Sequence, residues 1–130
     1  MKLRFSFYFL IAISVTLAPI WAEMEAAGDQ LDATIFSDLS KETATTKASA
    51  LAERDFAKNY YRILVAGKRP RKSAYDNLLK SKYGVAMTAI AGCVVTDGII
   101  GAIEGYNSTM KQLLNRKFGH DIFQEAEMAR

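Results

Sequence analysis

The stretch from Gly98 to Phe118 constrains this chain more than any other. Ile99, Ile103, Tyr106, Met110, Leu113 and Leu114 recur at three- and four-residue steps and fall within about 100° of arc on a helical wheel. Asp97 stands at the cap position before the run, and Gly119 stands where a left-handed residue would end it. Such a stripe needs other apolar surfaces to bury it, and two segments offer them. Ala48, Ala52, Phe56, Tyr60, Ile63 and Leu64 share the periodicity, which predicts a helix over 48–66 closed by Gly67. Tyr75, Leu78, Leu79 and Tyr83 make a third stripe, opened by Ser73 and Asp76 in a capping-box pattern and closed by Gly84. Ile122 and Phe123 anchor a short final helix. The expected fold is mainly α: a small single-domain bundle of three to five helices.

Residues 85–96, V-A-M-T-A-I-A-G-C-V-V-T, are uniformly apolar apart from their threonines, so periodicity does not separate buried helix from buried strand there. Val94, Val95 and Thr96 favour strand, and a short extended segment at 85–96 is expected. No strand partner is visible elsewhere in the chain, which leaves a second copy as a candidate. L-L-K-S-K-Y-G at 78–84 and L-L-N-R-K-F-G at 113–119 echo each other. The echo is explained by two helices ending alike, with Lys near the negative helix end and Gly after it.

The chain opens with Lys2 and Arg4, followed by an uncharged run from Phe5 to Leu17 and the exit A-P-I-W-A before Glu23. This pattern is that of a secretory signal peptide over 1–22, cleaved after about Ala22, so the expected localisation is secreted or periplasmic. The mature part divides into an acidic, partly flexible segment over 23–47 and a helical domain over 48–130. Within the first, Leu31, Ile35, Phe36 and Leu39 suit a short amphipathic helix, and K-E-T-A-T-T-K looks like a solvated connector because threonines weaken helices.

The full chain has 17 Lys and Arg against 14 Asp and Glu, a net charge of +3, which falls to +1 once Lys2 and Arg4 are removed. The charge lies in blocks: −5 over 23–53, +7 over 54–82 and −1 over 83–130. Arg54, Lys58 and Arg62 are spaced by four and would line one strip of a helix; Lys68, Arg69, Arg71 and Lys72 continue beyond its end. Such a ridge suits an anionic surface or polymer, or else a solvated face opposing the acidic block. Nucleic acid is not an expected partner of an exported chain without an aromatic-rich binding motif.

With one Cys and one His, a four-ligand structural metal site and an internal disulfide are both excluded, and no metal or cofactor is expected. Cys93 lies among apolar neighbours, so a buried structural thiol is the leading expectation, ahead of an intermolecular disulfide. A nucleophilic role would need His120 as base and Asp97 or Asp121 to orient it. His120 itself suits the negative end of the long helix. Gly98, Gly101 and Gly105 share the helix face opposite the apolar stripe, at a cost of roughly 1 kcal/mol each relative to Ala. They mark either a thin face where another backbone comes close, within the fold or across a homodimer, or a frayed first turn. Val85–Ile103 is nearly uncharged, but Asp97 and the glycines argue against membrane insertion. Asn107-Ser108-Thr109 matches a glycosylation acceptor, yet Asn107 borders the apolar stripe, where a sugar would prevent packing.

No catalytic signature stands out from these residues. The expected role is an exported small binding or interaction protein that is not an enzyme. The alternatives are a small thiol enzyme built on Cys93 and His120, and a membrane-associated protein.

Overall fold

The computed structural model describes residues 31–67 and 73–129. The expected signal peptide, and the basic residues Lys68, Arg69, Arg71 and Lys72, lie outside the described residues. The elements run α1 (Thr34–Ser37), α2 (Lys41–Ala57), β1 (Arg62–Ala66), α3 (Ala74–Tyr83), β2 (Ala86–Ala91), α4 (Asp97–Phe118) and α5 (Ile122–Met128). The fold is a small, mostly helical domain with a two-stranded parallel sheet.

Helix α4 is the spine, buried on two sides. Its apolar stripe places Ile99, Tyr106, Met110 and Leu114 in the core. Its opposite face, Gly98, Gly101, Ala102 and Gly105, is buried as well, because α1 and α2 lie directly on it. A Cβ at Gly101 would stand 3.0 Å from the Lys41 carbonyl carbon, and one at Gly105 would stand 2.9 Å from the Thr45 Cα. Helix α2 answers with its own small residues: Ala44, Ala48 and Ala52 are fully buried. Two hydroxyls bridge the seam, Thr45 Oγ1 donating to the Gly101 carbonyl at 3.1 Å and Ser49 Oγ to that of Gly105 at 3.2 Å. Lys41 meeting Gly101 and Thr45 meeting Gly105 make the two helices parallel.

This packing explains the first departure from the sequence reading. The 41–47 stretch is helix rather than connector, and the expected boundary at 47/48 falls inside α2. Ser40 caps the helix by accepting from Thr43 N at 3.3 Å, and tertiary burial of the alanine face outweighs the low propensity of the threonines.

The second departure is larger. The helix expected over 48–66 stops at Ala57, and Arg62–Ala66 is a strand. Asn59 adopts φ 58°, a left-handed conformation that asparagine tolerates better than most residues, and the chain turns there. Gly67, also at positive φ, therefore follows a strand and not a helix. Strand β1 is the partner that the extended segment lacked in sequence. It pairs in parallel with β2, Arg62 opposite Ala86 and Leu64 opposite Thr88, with an irregularity after Val65. Helix α3 forms the crossover. Its capping box is complete: Asp76 N donates to Ser73 Oγ at 3.2 Å, and Ser73 N to Asp76 Oδ2 at 3.3 Å.

On the outer edge of β1, Asn107 of α4 supplies an amide in place of a third strand. Leu64 N donates to its Oδ1 at 2.7 Å, and its Nδ2 donates to the Leu64 carbonyl at 2.8 Å. The two echoed segments end α3 and α4, and their aromatic residues meet: Tyr83 and Phe118 pack edge to face at 4.8 Å between centroids.

Candidate functional site

Three constellations hold the polar chemistry of the described residues. The first is buried at the junction of α2, β1 and α4. Asp55 falls on the alanine face of α2, one turn after Ala52, and is 6% exposed. Strand β1 aims Arg62, 4% exposed, straight at it. Arg62 Nη2 donates to Asp55 Oδ2 at 2.8 Å, the Tyr106 hydroxyl donates to the same oxygen at 2.7 Å, and Arg62 Nε donates to the Tyr106 oxygen at 3.1 Å. The guanidinium also stacks over Tyr60, 4.8 Å from its ring centre. Burial, opposed by Arg62 and reinforced by Asp55, pushes the Tyr106 phenol well above its ordinary value, so it remains a neutral donor. For Arg62, burial works against the charge, but Tyr106 and Asp55 outweigh it and hold the guanidinium protonated. A buried triangle in which no buried side-chain nitrogen or oxygen is left without a partner fixes the packing of three elements.

The second constellation lies at the end of α3 and α4. Glu125 of α5 receives Lys82 Nζ, the Tyr83 hydroxyl and His120 Nε2, the last at 2.9 Å. Lys82 first, then Tyr83 and His120, pull the Glu125 carboxyl down to about 2. The same hydrogen bond, with burial, raises the Tyr83 phenol, and Glu125 raises Lys82. His120 Nδ1 lies 3.1 Å from the Phe118 carbonyl, and Nε2 lies 3.0 Å from the Tyr83 oxygen. Both ring nitrogens thus lie at hydrogen-bond distance from groups within the protein, and the cluster forms a clasp between α3, α4 and α5.

The third feature is the cationic end of the α2–α4 pair. Because these helices are parallel, their negative C-terminal ends lie together. Arg54 and Lys58 stand exposed at one, Arg116 and Lys117 at the other. Lys117 Nζ sits over the rings of Tyr61 at 4.7 Å and Phe56 at 5.9 Å, which joins the two ends. Glu53 and Asp121 are the exposed acids nearest in sequence.

The structure redistributes the residues named from sequence. Arg62 leaves the basic ridge, since it sits on a strand and points into the core; only Arg54 and Lys58 share the helix surface. Cys93 is exposed in the loop after β2, not buried, because that loop turns outward with Val94 and Val95. It is not joined to His120: all 22 residues of α4, about 33 Å of rise, stand between them, and the four-residue approach to the helix cannot fold back over that length. Asp97 is the first residue of α4 and exposed; the cap is Thr96, which accepts from Ile99 N at 3.4 Å. Gly98, Gly101 and Gly105 are covered by α1 and α2 of the same chain. The described residues include no cluster of three or more His, Cys, Asp or Glu able to hold a metal ion, and no helix long and apolar enough to cross a membrane.

The Asp55–Arg62–Tyr106 triangle and the Glu125 clasp both escape the sequence reading. An acid on an otherwise alanine face was the available signal for the first. The clasp is assembled from three helices and has no local one. Comparison with known proteins places nothing beside this chain: no family model, no curated protein and no solved structure matches it.

Proposed function

We propose that this chain is an exported small interaction protein that meets an anionic surface or polymer through the joint C-terminal ends of α2 and α4. The observation that carries this reading is the convergence of two helix ends with Arg54, Lys58, Arg116 and Lys117 exposed around them. Four cations on a rigid frame attract a polyanion by charge density and not by a shaped pocket. The polar groups best suited to chemistry, Arg62, Tyr106, Glu125 and His120, are bonded to one another within the fold, which supports a binding role over catalysis.

The test is co-sedimentation of the purified protein with vesicles of anionic or of neutral lipid. Binding to the anionic vesicles alone, reversed by high salt and weakened by Arg54→Glu with Lys58→Glu, is the expected result. Equal binding to neutral vesicles, or binding untouched by charge reversal, would refute the assignment.

A further inference from the structure

The two edges of the sheet are not alike. In a parallel pair, alternate residues turn their backbone N–H and C=O groups to opposite edges. Leu64 faces outward from β1, and both of its groups are taken by Asn107. On β2, Ala86 faces inward, since its N–H donates to the Tyr61 carbonyl at 3.0 Å. Met87 and Ala89 therefore face outward, and their backbone groups have no partner among the described residues. The β1 edge is capped at Leu64, and the β2 edge is open among the described residues.

The open edge also lacks the usual guards. Residues 85–96 contain no charged residue and no proline. The irregularity in the ladder falls after Ala89, so the outward groups of Met87 and Ala89 precede it. Past the strand, Val94 is 74% exposed and Val95 40% exposed, and they prolong the apolar surface.

We infer that a second copy of this chain pairs with the β2 edge, antiparallel, about a two-fold axis at Thr88. In that register Met87 of each copy lies opposite Ala89 of the other, and the outward groups of both form hydrogen-bonded pairs. An uncharged edge pairs with itself without like-charge repulsion, which an edge carrying charge of one sign does not. The product is a four-stranded sheet, β1-β2-β2-β1, in which Asn107 occupies the outward groups of Leu64 on each outer edge. Assembly thus stops at two, as isologous pairing requires. This surface is separate from the cationic helix ends and does not depend on the function proposed for them.

Sedimentation velocity on the purified protein over a range of concentrations tests the inference. Ala89→Pro removes an N–H that donates to no described group, so the intramolecular ladder is untouched while the dimer contact is lost. The expected result is a dimer for the natural sequence and a monomer for the variant, with matching far-UV circular dichroism. If the proline variant misfolds, Ala89→Lys serves instead, since it places like charges across the axis. A nitroxide on Cys93 adds a ruler: with the axis at Thr88, the two labels lie about 30 Å apart. A natural-sequence monomer at every concentration overturns the inference. So does a dimer that persists in the variants, or a Cys93–Cys93 separation below about 15 Å, which would put the contact at the loop. A monomer with a slowly exchanging Ala89 amide would mean that the chain covers its own edge, and would also overturn it.

Discussion

The seam between α2 and α4 makes a demand that can be measured with one methyl group. In Gly105→Ala the new Cβ would stand 2.9 Å from both the Cα and the carbonyl carbon of Thr45, and closer still to the oxygen. All three obstacles are backbone, so no side chain can swing aside. To restore an ordinary contact beyond 3.4 Å, the helices must part by roughly 1 Å. That movement pulls on the Ser49 and Thr45 hydroxyl bonds across the seam, each worth about 1 kcal/mol, and opens space around Ala44, Ala48 and Ala52. Overpacking of this kind costs about 1–3 kcal/mol in its own right. Alanine returns about 1 kcal/mol of helix propensity. The balance is a loss of about 3 kcal/mol, a large share of the stability of a domain this size, and a fall of about 10–20 °C in melting temperature.

Two other glycines supply the controls. Gly92 has open space around its Cβ position and no left-handed backbone, so Gly92→Ala is expected to be neutral or slightly stabilising. Gly84 has open space too but φ +69°, so Gly84→Ala is expected to lose about 1 kcal/mol through backbone strain alone. Urea denaturation of the three variants should rank them Gly105→Ala, Gly84→Ala, Gly92→Ala in order of loss. A Gly105→Ala protein as stable as the natural one would refute the close packing of α2 on α4.

Three further outcomes follow from the polar groups. Arg62→Met strands the buried Asp55 carboxylate and should cost about 3–5 kcal/mol in chemical denaturation, whereas adding Asp55→Leu should recover most of it. Asn107→Ala leaves both backbone groups of Leu64 unpaired and should cost about 1–3 kcal/mol, with faster hydrogen exchange at the Leu64 amide as its local signature. Glu125 is held below its ordinary 4.5, down to about 2, so it adds stability above pH 4.5 that is lost as pH falls towards 2. Melting temperatures across that range should therefore fall more steeply for the natural protein than for Glu125→Gln.

What the sequence disclosed were the signals that act over a few residues. Ser73 with Asp76, and Gly84 and Gly119 at helix ends, need only their own turn to work, and each occupies its expected position. The strand β1 was hidden by coincidence. Ile63 and Leu64 continue the three- and four-residue spacing of Phe56 and Tyr60, so one periodicity runs across a turn that Asn59 makes. The start of α2 was hidden for the opposite reason: its threonines argue against helix locally, and what overrules them is a glycine face more than fifty residues away. The burial of Arg62 follows from the first error, because a residue assigned to a helix surface is rotated into the core once its segment becomes strand.

That rotation reorganises the functional argument as well. A ridge of cations read along a continuous helix would present a single charged strip ending in 68–72. Moving Arg62 inward removes the centre of the strip and uses its charge to neutralise Asp55, so an acid and a base of the same basic block cancel in the core. The parallel packing of α2 and α4 instead brings two C-terminal ends together, with Arg54 and Lys58 exposed on one and Arg116 and Lys117 on the other. A partner that reads charge would thus depend on residues about sixty positions apart. Arg116→Glu should weaken binding to anionic vesicles as strongly as Arg54→Glu does if the patch is read as a whole, and should leave binding unchanged if the linear basic block alone is responsible.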